Sequence, residues 1–217
     1  HGAKKVLFLG SSCIYPRDCP QSIKEEYLLT GPLEPTNEGY ALAKIVGIKL
    51  LEYYCKEYGK DGVCLMPCNL YGLNDNFDPV QGHVIPAMIA KFYKAKIEKS
   101  SVVTSWGTGM PKREFLHSSD LARAAILTMN VHSYKETKEI LYNVGSQEEY
   151  TIQELAELIS NIVGHKGTIF WDHNYPDGTP RKIMSNEKFK KLIHWSPVIP
   201  LSDGIIGEYD FYLNKLR

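Results

Sequence analysis

The sequence predicts an α/β protein built on a parallel sheet with flanking helices. Two patterns predict it. Short apolar runs alternate with longer segments of helical period, as strands joined by helical crossovers do. The first two apolar runs also end on polar residues, and ligands of parallel sheets sit beyond the carboxyl ends of the strands. At 217 residues the chain can bury the core of one α/β domain, or of a domain with a small lobe.

Each element has its own signal. VLFLG (6–10) is short, apolar and stopped by glycine, as a fully buried strand is. Residues 17–39, rich in Pro, Gly, Asn and Thr, predict a long loop. From Tyr40 a helical period runs through Ile45, Val46, Ile48, Leu50 and Leu51 to Gly59. GVCLMPCNLYG (62–72) predicts a second buried strand, and a loop over 73–83 leads into a helix over 84–96. VVTSW (102–106) predicts a strand and GTGMP a turn. The stretch REFLHSSDLARAAILTMNV predicts a helix capped at Ser118 or Ser119. ILYNVGS (140–146) predicts a strand, and Thr151 with Glu154 three residues on has the spacing of a capping box. TIFWD (168–172) predicts a strand and DGTPRK a loop, and SNEKFKKLIHW and DGIIGEYDFYLNKL predict the last helices.

Charge narrows the function classes. Twenty-five basic residues balance twenty-five acidic ones, so no long-range field attracts nucleic acid. No apolar run reaches the length of a membrane span, and no signal peptide is expected. Five cysteines without regular spacing argue against a disulfide framework and for a reducing, cytoplasmic setting. Cys64 and Cys68 lack the second ligand pair of a zinc site, and no metal is expected.

The chemistry concentrates at two places. VLFLGSSCIYP sets Ser11, Ser12 and Cys13 directly beyond the first strand. Tyr40 and Lys44 are four apart, hence on one helix face. An ammonium beside a phenol stabilises the phenolate, which suits a proton donor to a carbonyl. Y-x-x-x-K alone is common, and a tyrosine packed with a snorkelling lysine gives the same pattern. Cys13 alone reads equally well as a small buried hydrophobe.

Together, the glycine-ended strand, Ser-Ser-Cys, Y-A-L-A-K and the strand ending P-C-N-L-Y-G resemble the extended short-chain dehydrogenase/reductase family. LGSSCIYP, LEPTNEGYALAK, MPCNLYG, DNFDPVQGHVIPA, WGTGMPKREFLH and DGTPRK are similar to one branch of it. That branch comprises the NADPH-dependent enzymes that epimerise GDP-4-keto-6-deoxy-D-mannose at C3 and C5 and reduce it at C4, giving GDP-L-fucose.

The resemblance implies a fold, roles and partners. Residues 1–72 become the C-terminal part of a Rossmann-type NADP-binding domain, with a strand or helix near 115–145 returning to its doubly wound parallel sheet. Residues 73–217 become mostly a smaller α/β lobe for the nucleotide sugar. Ser11, Tyr40 and Lys44 become the reductase triad, and Cys13 and His83 the base and acid of epimerisation. Leu9, Gly10, Ser11, Ser12, Tyr40, Lys44, Pro67, Cys68, Asn69, Leu70 and His83 are the implied NADP(H) contacts. Asn69, Val84, Lys91, Trp106, Arg113, Asp177 and Lys182 are the implied GDP-sugar contacts, with Arg and Lys suited to the diphosphate. A homodimer is implied as well. Thiol and imidazole suit proton exchange at carbon, because both have reference pKa values near neutrality.

No Gly-x-Gly-x-x-Gly occurs in the chain. In the family that turn precedes the first strand seen here, so the resemblance implies a chain that starts about a third of the way in. Weak NADP(H) binding and an exposed sheet edge are then expected of these residues alone. Two other functions fit the same motifs. One is an extended-family nucleotide-sugar 4-epimerase or dehydratase, which needs no Cys/His pair. The other is a nucleotide-sugar-binding module without catalysis.

Overall fold

The computed structural model describes residues 2–216. Its strands and helices run β1 (Lys5–Leu9), α1 (Glu38–Tyr58), β2 (Asp61–Pro67), β3 (Asn69–Tyr71), α2 (Val84–Ile97), β4 (Val102–Trp106), β5 (Lys112–His117), α3 (Ser118–Val131), α4 (Tyr134–Thr137), β6 (Leu141–Val144), β7 (Glu149–Thr151), α5 (Ile152–Val163), β8 (Thr168–Asp172), β9 (Arg181–Lys182), α6 (Glu187–Leu192) and α7 (Leu201–Lys215). They form two compact units. The first takes the residues to Asn69, Ser119–Gln147 and Lys182–Ser196; the second takes Leu70–Ser118, Glu148–Arg181 and the residues from Pro197. Among the described residues no helix is long and apolar enough to cross a membrane.

The first unit is a parallel sheet ordered β1-β2-β6. β1 pairs β2 from Lys5 opposite Asp61 to Leu9 opposite Leu65, and β2 pairs β6 from Cys64 opposite Leu141 to Pro67 opposite Val144. The central strand is buried from Gly62 to Pro67, which is why its sequence shows no polar alternation. β1 is an edge strand with Val6 and Leu9 exposed. α1 crosses over from β1 to β2 and buries Ala41, Ile45, Ile48, Leu51 and Cys55. Gly47 lets it come close to β1: a Cβ there would meet the Phe8 ring at 2.4 Å. The long loop before α1 is tied to β6 by Asn143. That side chain accepts from Tyr15 Oη at 2.6 Å and donates to the Ile23 carbonyl at 3.0 Å, while its backbone N–H donates to Glu25 at 2.8 Å.

The second unit holds a sheet ordered β3-β5-β7, with β9 on β5 and with β5 and β7 antiparallel, and a parallel pair β4-β8. Its core joins α2, α5 and α7 through Ile85, Ile89, Phe92, Leu155, Ile159 and Ile205. α5 starts at the expected capping box: Thr151 and Glu154 each bond the other's backbone N–H.

Two expectations change. Residues 62–72 form two strands rather than one. The chain breaks at Cys68, whose N–H donates to the Val144 carbonyl at 3.0 Å, and β3 then pairs in the other sheet. Hydrophobicity alone does not say which sheet takes a strand. Lys112–His117 is a strand rather than a lead-in to the helix. Its opening charges masked a segment buried from Glu114 to His117. β7, β9 and α4 are too short for any period to mark them.

Glu208 of α7 is wholly buried, and neither carboxylate oxygen has a partner among the described residues. Burial, with a smaller contribution from Asp75, pushes its carboxyl up to about 8. A raised folded-state pKa gives stability that is complete below the unfolded value, about 4.3, and that is lost as pH rises through about 8. Glu208→Met keeps the volume and removes the charge. The variant is expected to be more stable than the parent at pH 8.5 by a few kcal/mol on the order-of-magnitude scale of linkage. The gap should nearly close at pH 5. Urea melts at both pH values check this, and a gap that does not depend on pH refutes it.

Candidate functional site

In the first unit the candidate residues gather at the carboxyl end of β1. Beyond Leu9 and Gly10 the chain makes a single 3-10 turn, Ser12–Ile14, and Ser11 caps it by accepting the Cys13 N–H on Oγ at 3.3 Å. Ser12 is buried and Cys13 half-buried. Two donors face the Cys13 sulfur: Asn37 Nδ2 at 3.3 Å and Lys182 Nζ at 3.7 Å. Asn37 stands one residue before α1, and its Oδ1 is buried with no hydrogen-bond partner among the described residues. N–H donors of this kind are the partners a thiolate takes when it forms.

α1 packs against the same turn. Its Lys44 Nζ donates to the Leu9 carbonyl at 2.8 Å and lies 5.6 Å from the centre of the Tyr40 ring. Helical spacing therefore places this pair on one face, as expected, and Tyr40 remains half exposed. On the neighbouring strand Pro67 stands two residues beyond Leu65, the partner of Leu9. Cys68 follows, with its thiol 3.9 Å from the Asn69 carbonyl.

In the second unit Trp106 ends β4 and stacks on Tyr175 with ring centres 4.6 Å apart and planes 13° apart. Lys91 Nζ lies 4.9 Å from the Trp106 ring. Burial pulls the Lys91 ammonium below the usual lysine range. Arg113 is drawn down by burial too, with Asp177 opposing. Such cations gain from an anion that replaces lost water. Asp177 accepts the Thr108 N–H at 2.9 Å and its hydroxyl at 2.7 Å, and these bonds hold its carboxyl below the ordinary range. Arg181 forks onto Glu149 with two bonds of 2.6 Å. Leu70 lies in β3, and Val84 is half-buried at the first position of α2. His83 precedes Val84, with Nδ1 3.4 Å from Asp75 Oδ1 and a side chain 78% exposed.

Each unit thus presents a distinct chemistry. The first joins a phenol, an ammonium, a hydroxyl and a thiol at one strand end. The second joins half-buried cations, an aromatic stack and a loop imidazole. The sequence reading omitted Asn37, Thr108, Tyr175 and Asp75. Asn37 and Asp75 lay inside the motifs LEPTNEGYALAK and DNFDPVQGHVIPA, but only contacts distinguish them there. Lys182, which the resemblance implies as a diphosphate contact, has its ammonium 3.7 Å from the Cys13 sulfur.

Residues 1–145 match the NAD dependent epimerase/dehydratase family. The chain is 50% identical over 216 residues to GDP-L-fucose synthase 1 of Arabidopsis thaliana, covering all of this chain and 65% of that protein. It is 46% identical over 216 residues to GDP-L-fucose synthase of Escherichia coli, covering 97% of this chain and 67% of that one. A crystal structure of a GDP-L-fucose synthetase from Naegleria fowleri bound to NADP matches with a TM-score of 0.89 at 30% identity, over 99% of this chain and 68% of that chain. The chain therefore spans about two thirds of the length of these relatives.

The Asp177 carboxylate carries the turn after β4 through Thr108. Asp177→Ala removes two hydrogen bonds, each contributing about 1 kcal/mol. Amide exchange at Thr108 and Met110 is expected to quicken roughly tenfold, with the melting temperature little changed. Residue-resolved hydrogen exchange decides it, and unchanged protection at Thr108 would sink the assignment.

Proposed function

The chain belongs to the NAD dependent epimerase/dehydratase family, and we propose that it carries the catalytic and sugar-binding residues of an NADPH-dependent 3,5-epimerase-4-reductase. The substrate is GDP-4-keto-6-deoxy-D-mannose and the product GDP-L-fucose. One observation carries the reading. A thiol facing two N–H donors occupies the same strand end as a Tyr–Lys pair. Reduction alone needs the pair, and only proton transfer at carbon needs the thiol.

The C4 ketone acidifies the protons on C3 and C5, because the resulting enolate is resonance-stabilised. Cys13 takes such a proton as base: the thiolate, held ready by Asn37 and Lys182, becomes the thiol as the charge passes to the enolate. His83 returns a proton as acid, which inverts the centre. Ser11 then donates a hydrogen bond to the ketone oxygen, and Tyr40 gives it a proton while the charge of Lys44 supports the phenolate left behind. The cofactor, when bound, supplies the hydride to C4. The first unit fits its nicotinamide end: Lys44 and the Leu9 carbonyl lie at the carboxyl end of β1, where dinucleotides bind such sheets. Ser12, Gly10, Pro67, Cys68 and Asn69 complete that lining. Lys91 and Arg113 suit the diphosphate, and Trp106, Asp177 and Val84 the remainder of the nucleotide sugar.

A homodimer forms through α1. Leu42, Val46, Leu50, Tyr54 and Tyr58 recur every fourth residue and are exposed, opposite the buried face. A second copy of this helix supplies the matching apolar stripe. The five cysteines are free thiols, which suits a reducing cytoplasm.

Cys13→Ser is expected to slow deuterium uptake from solvent at C3 and C5 by roughly a hundredfold or more. NMR of the sugar in the full-length protein with NADPH measures it, and undiminished uptake removes the epimerase reading. Val46→Asp with Leu50→Asp is expected to convert dimer to monomer in sedimentation velocity. A doubly substituted protein that stays dimeric rules out α1 as the interface.

A further inference from the structure

We infer that Asp75 is a positioning residue for His83: it accepts the imidazole Nδ1–H and leaves Nε2 as the proton-exchanging atom. The inference rests on the proposed role of His83 and adds a residue to it. His83 Nδ1 lies 3.4 Å from Asp75 Oδ1. With 78% of its side chain exposed, packing does little to fix the ring. Its backbone, by contrast, is fixed: the His83 carbonyl accepts the Ala87 N–H at 3.0 Å in the first turn of α2. The remaining freedom is rotation of the imidazole, and Asp75 is the group that restrains it.

The loop that carries both residues is built rigidly. Asp75 Oδ1 also accepts the Asn76 N–H at 2.7 Å, which turns the carboxylate. Asp78 accepts the N–H groups of Val80 and Gln81 at 2.8 Å each, and its carbonyl accepts the Gly82 N–H at 2.9 Å. Only glycine fits at 82, because a Cβ would lie 2.3 Å from the Asn76 carbonyl oxygen and 2.6 Å from that of Asp78. Phe77 is buried and stacks on Tyr212 of α7 at 4.7 Å. Asp75 and His83 are thus the two ends of a loop closed by backbone bonds and pinned between them by one aromatic ring. Glu208, one turn before Tyr212, retains its proton at neutral pH, partly because Asp75 is charged.

The proton balance is simple. The proton on Nε2 leaves for the sugar carbon, and solvent restores one to the same atom. Nδ1–H stays on Asp75 throughout. A free histidine prefers the opposite tautomer, with its proton on Nε2, so an unrestrained ring would present a donor where the returning proton must be accepted.

Two measurements test this. Nitrogen-15 NMR of the neutral His83 ring in this chain is expected to show Nδ1–H in the parent and in Asp75→Asn, whose amide oxygen still accepts, and Nε2–H in Asp75→Ala. In the full-length protein, Asp75→Ala is expected to slow deuterium uptake at C3 and C5 at least roughly tenfold with KM unchanged, and Asp75→Asn to recover most of it. In a His83→Asn background, Asp75→Ala should cost nothing further. An unchanged tautomer in Asp75→Ala, or equal losses in both backgrounds, overturns the inference. Full exchange in His83→Asn refutes the role of His83 itself, and the inference with it.

Discussion

The seam between α1 and β1 is the constraint from which the first unit's chemistry follows. Three contacts set it along the helix. Asn37, just before the helix, reaches the Cys13 sulfur; Lys44, two turns in, reaches the Leu9 carbonyl; and Gly47 admits the Phe8 ring against the helix backbone. Because β1 and β2 run parallel with Leu9 opposite Leu65, α1 must return the chain to the start of β2. That requirement fixes where the helix begins and therefore where Tyr40 falls. The reactive groups are consequences of a crossover whose length and approach are set by apolar packing.

Loops of the second unit are held differently, by carboxylates that take backbone N–H groups. Asp78 organises 78–82, Asp177 organises the turn after β4 from the far side of β8, and Glu154 closes the start of α5. A carboxylate that receives several donors stays ionised at low pH, and Asp78, Asp177 and Glu154 are all held below the ordinary range by those bonds. Glu208 is the contrast. It is a carboxyl without donors among the described residues, raised by burial, on the helix that anchors the loop of His83.

Periodicity made the frame legible. β1, the first part of β2, α1, α2, α5 and α7 each repeat an apolar spacing over enough residues to be read, and Thr151 with Glu154 marked the start of α5 by local chemistry alone. β5 was hidden by charge, β7 and β9 by length. Site legibility followed the same rule at a different scale. Tyr40 and Lys44 are one helical turn apart, so spacing alone joins them. Cys13 and Lys182 are 169 positions apart, and no local pattern can bring them together. Asp75 and His83 lie within one short motif, yet the loop between them has no period. Only the 3.4 Å contact of His83 Nδ1 with Asp75 Oδ1 shows that its two ends meet.

Cys13 and His83 have partners of opposite character, and each partner suits the form its group would take in the proposed reaction. A cysteine acting as base starts as the thiolate, with negative charge on sulfur, and among the described residues the Cys13 sulfur faces two N–H donors, one of them an ammonium. An imidazole acting as acid starts with positive charge on the ring, and His83 faces a carboxylate. Exchanging the surroundings would favour the wrong member of each pair: a carboxylate beside sulfur opposes the thiolate, and an ammonium beside imidazole opposes the imidazolium. The partners therefore assign direction. Under the proposed reaction Cys13 would take a proton from carbon and His83 would give one, the division of labour that inversion at a carbon beside a ketone requires.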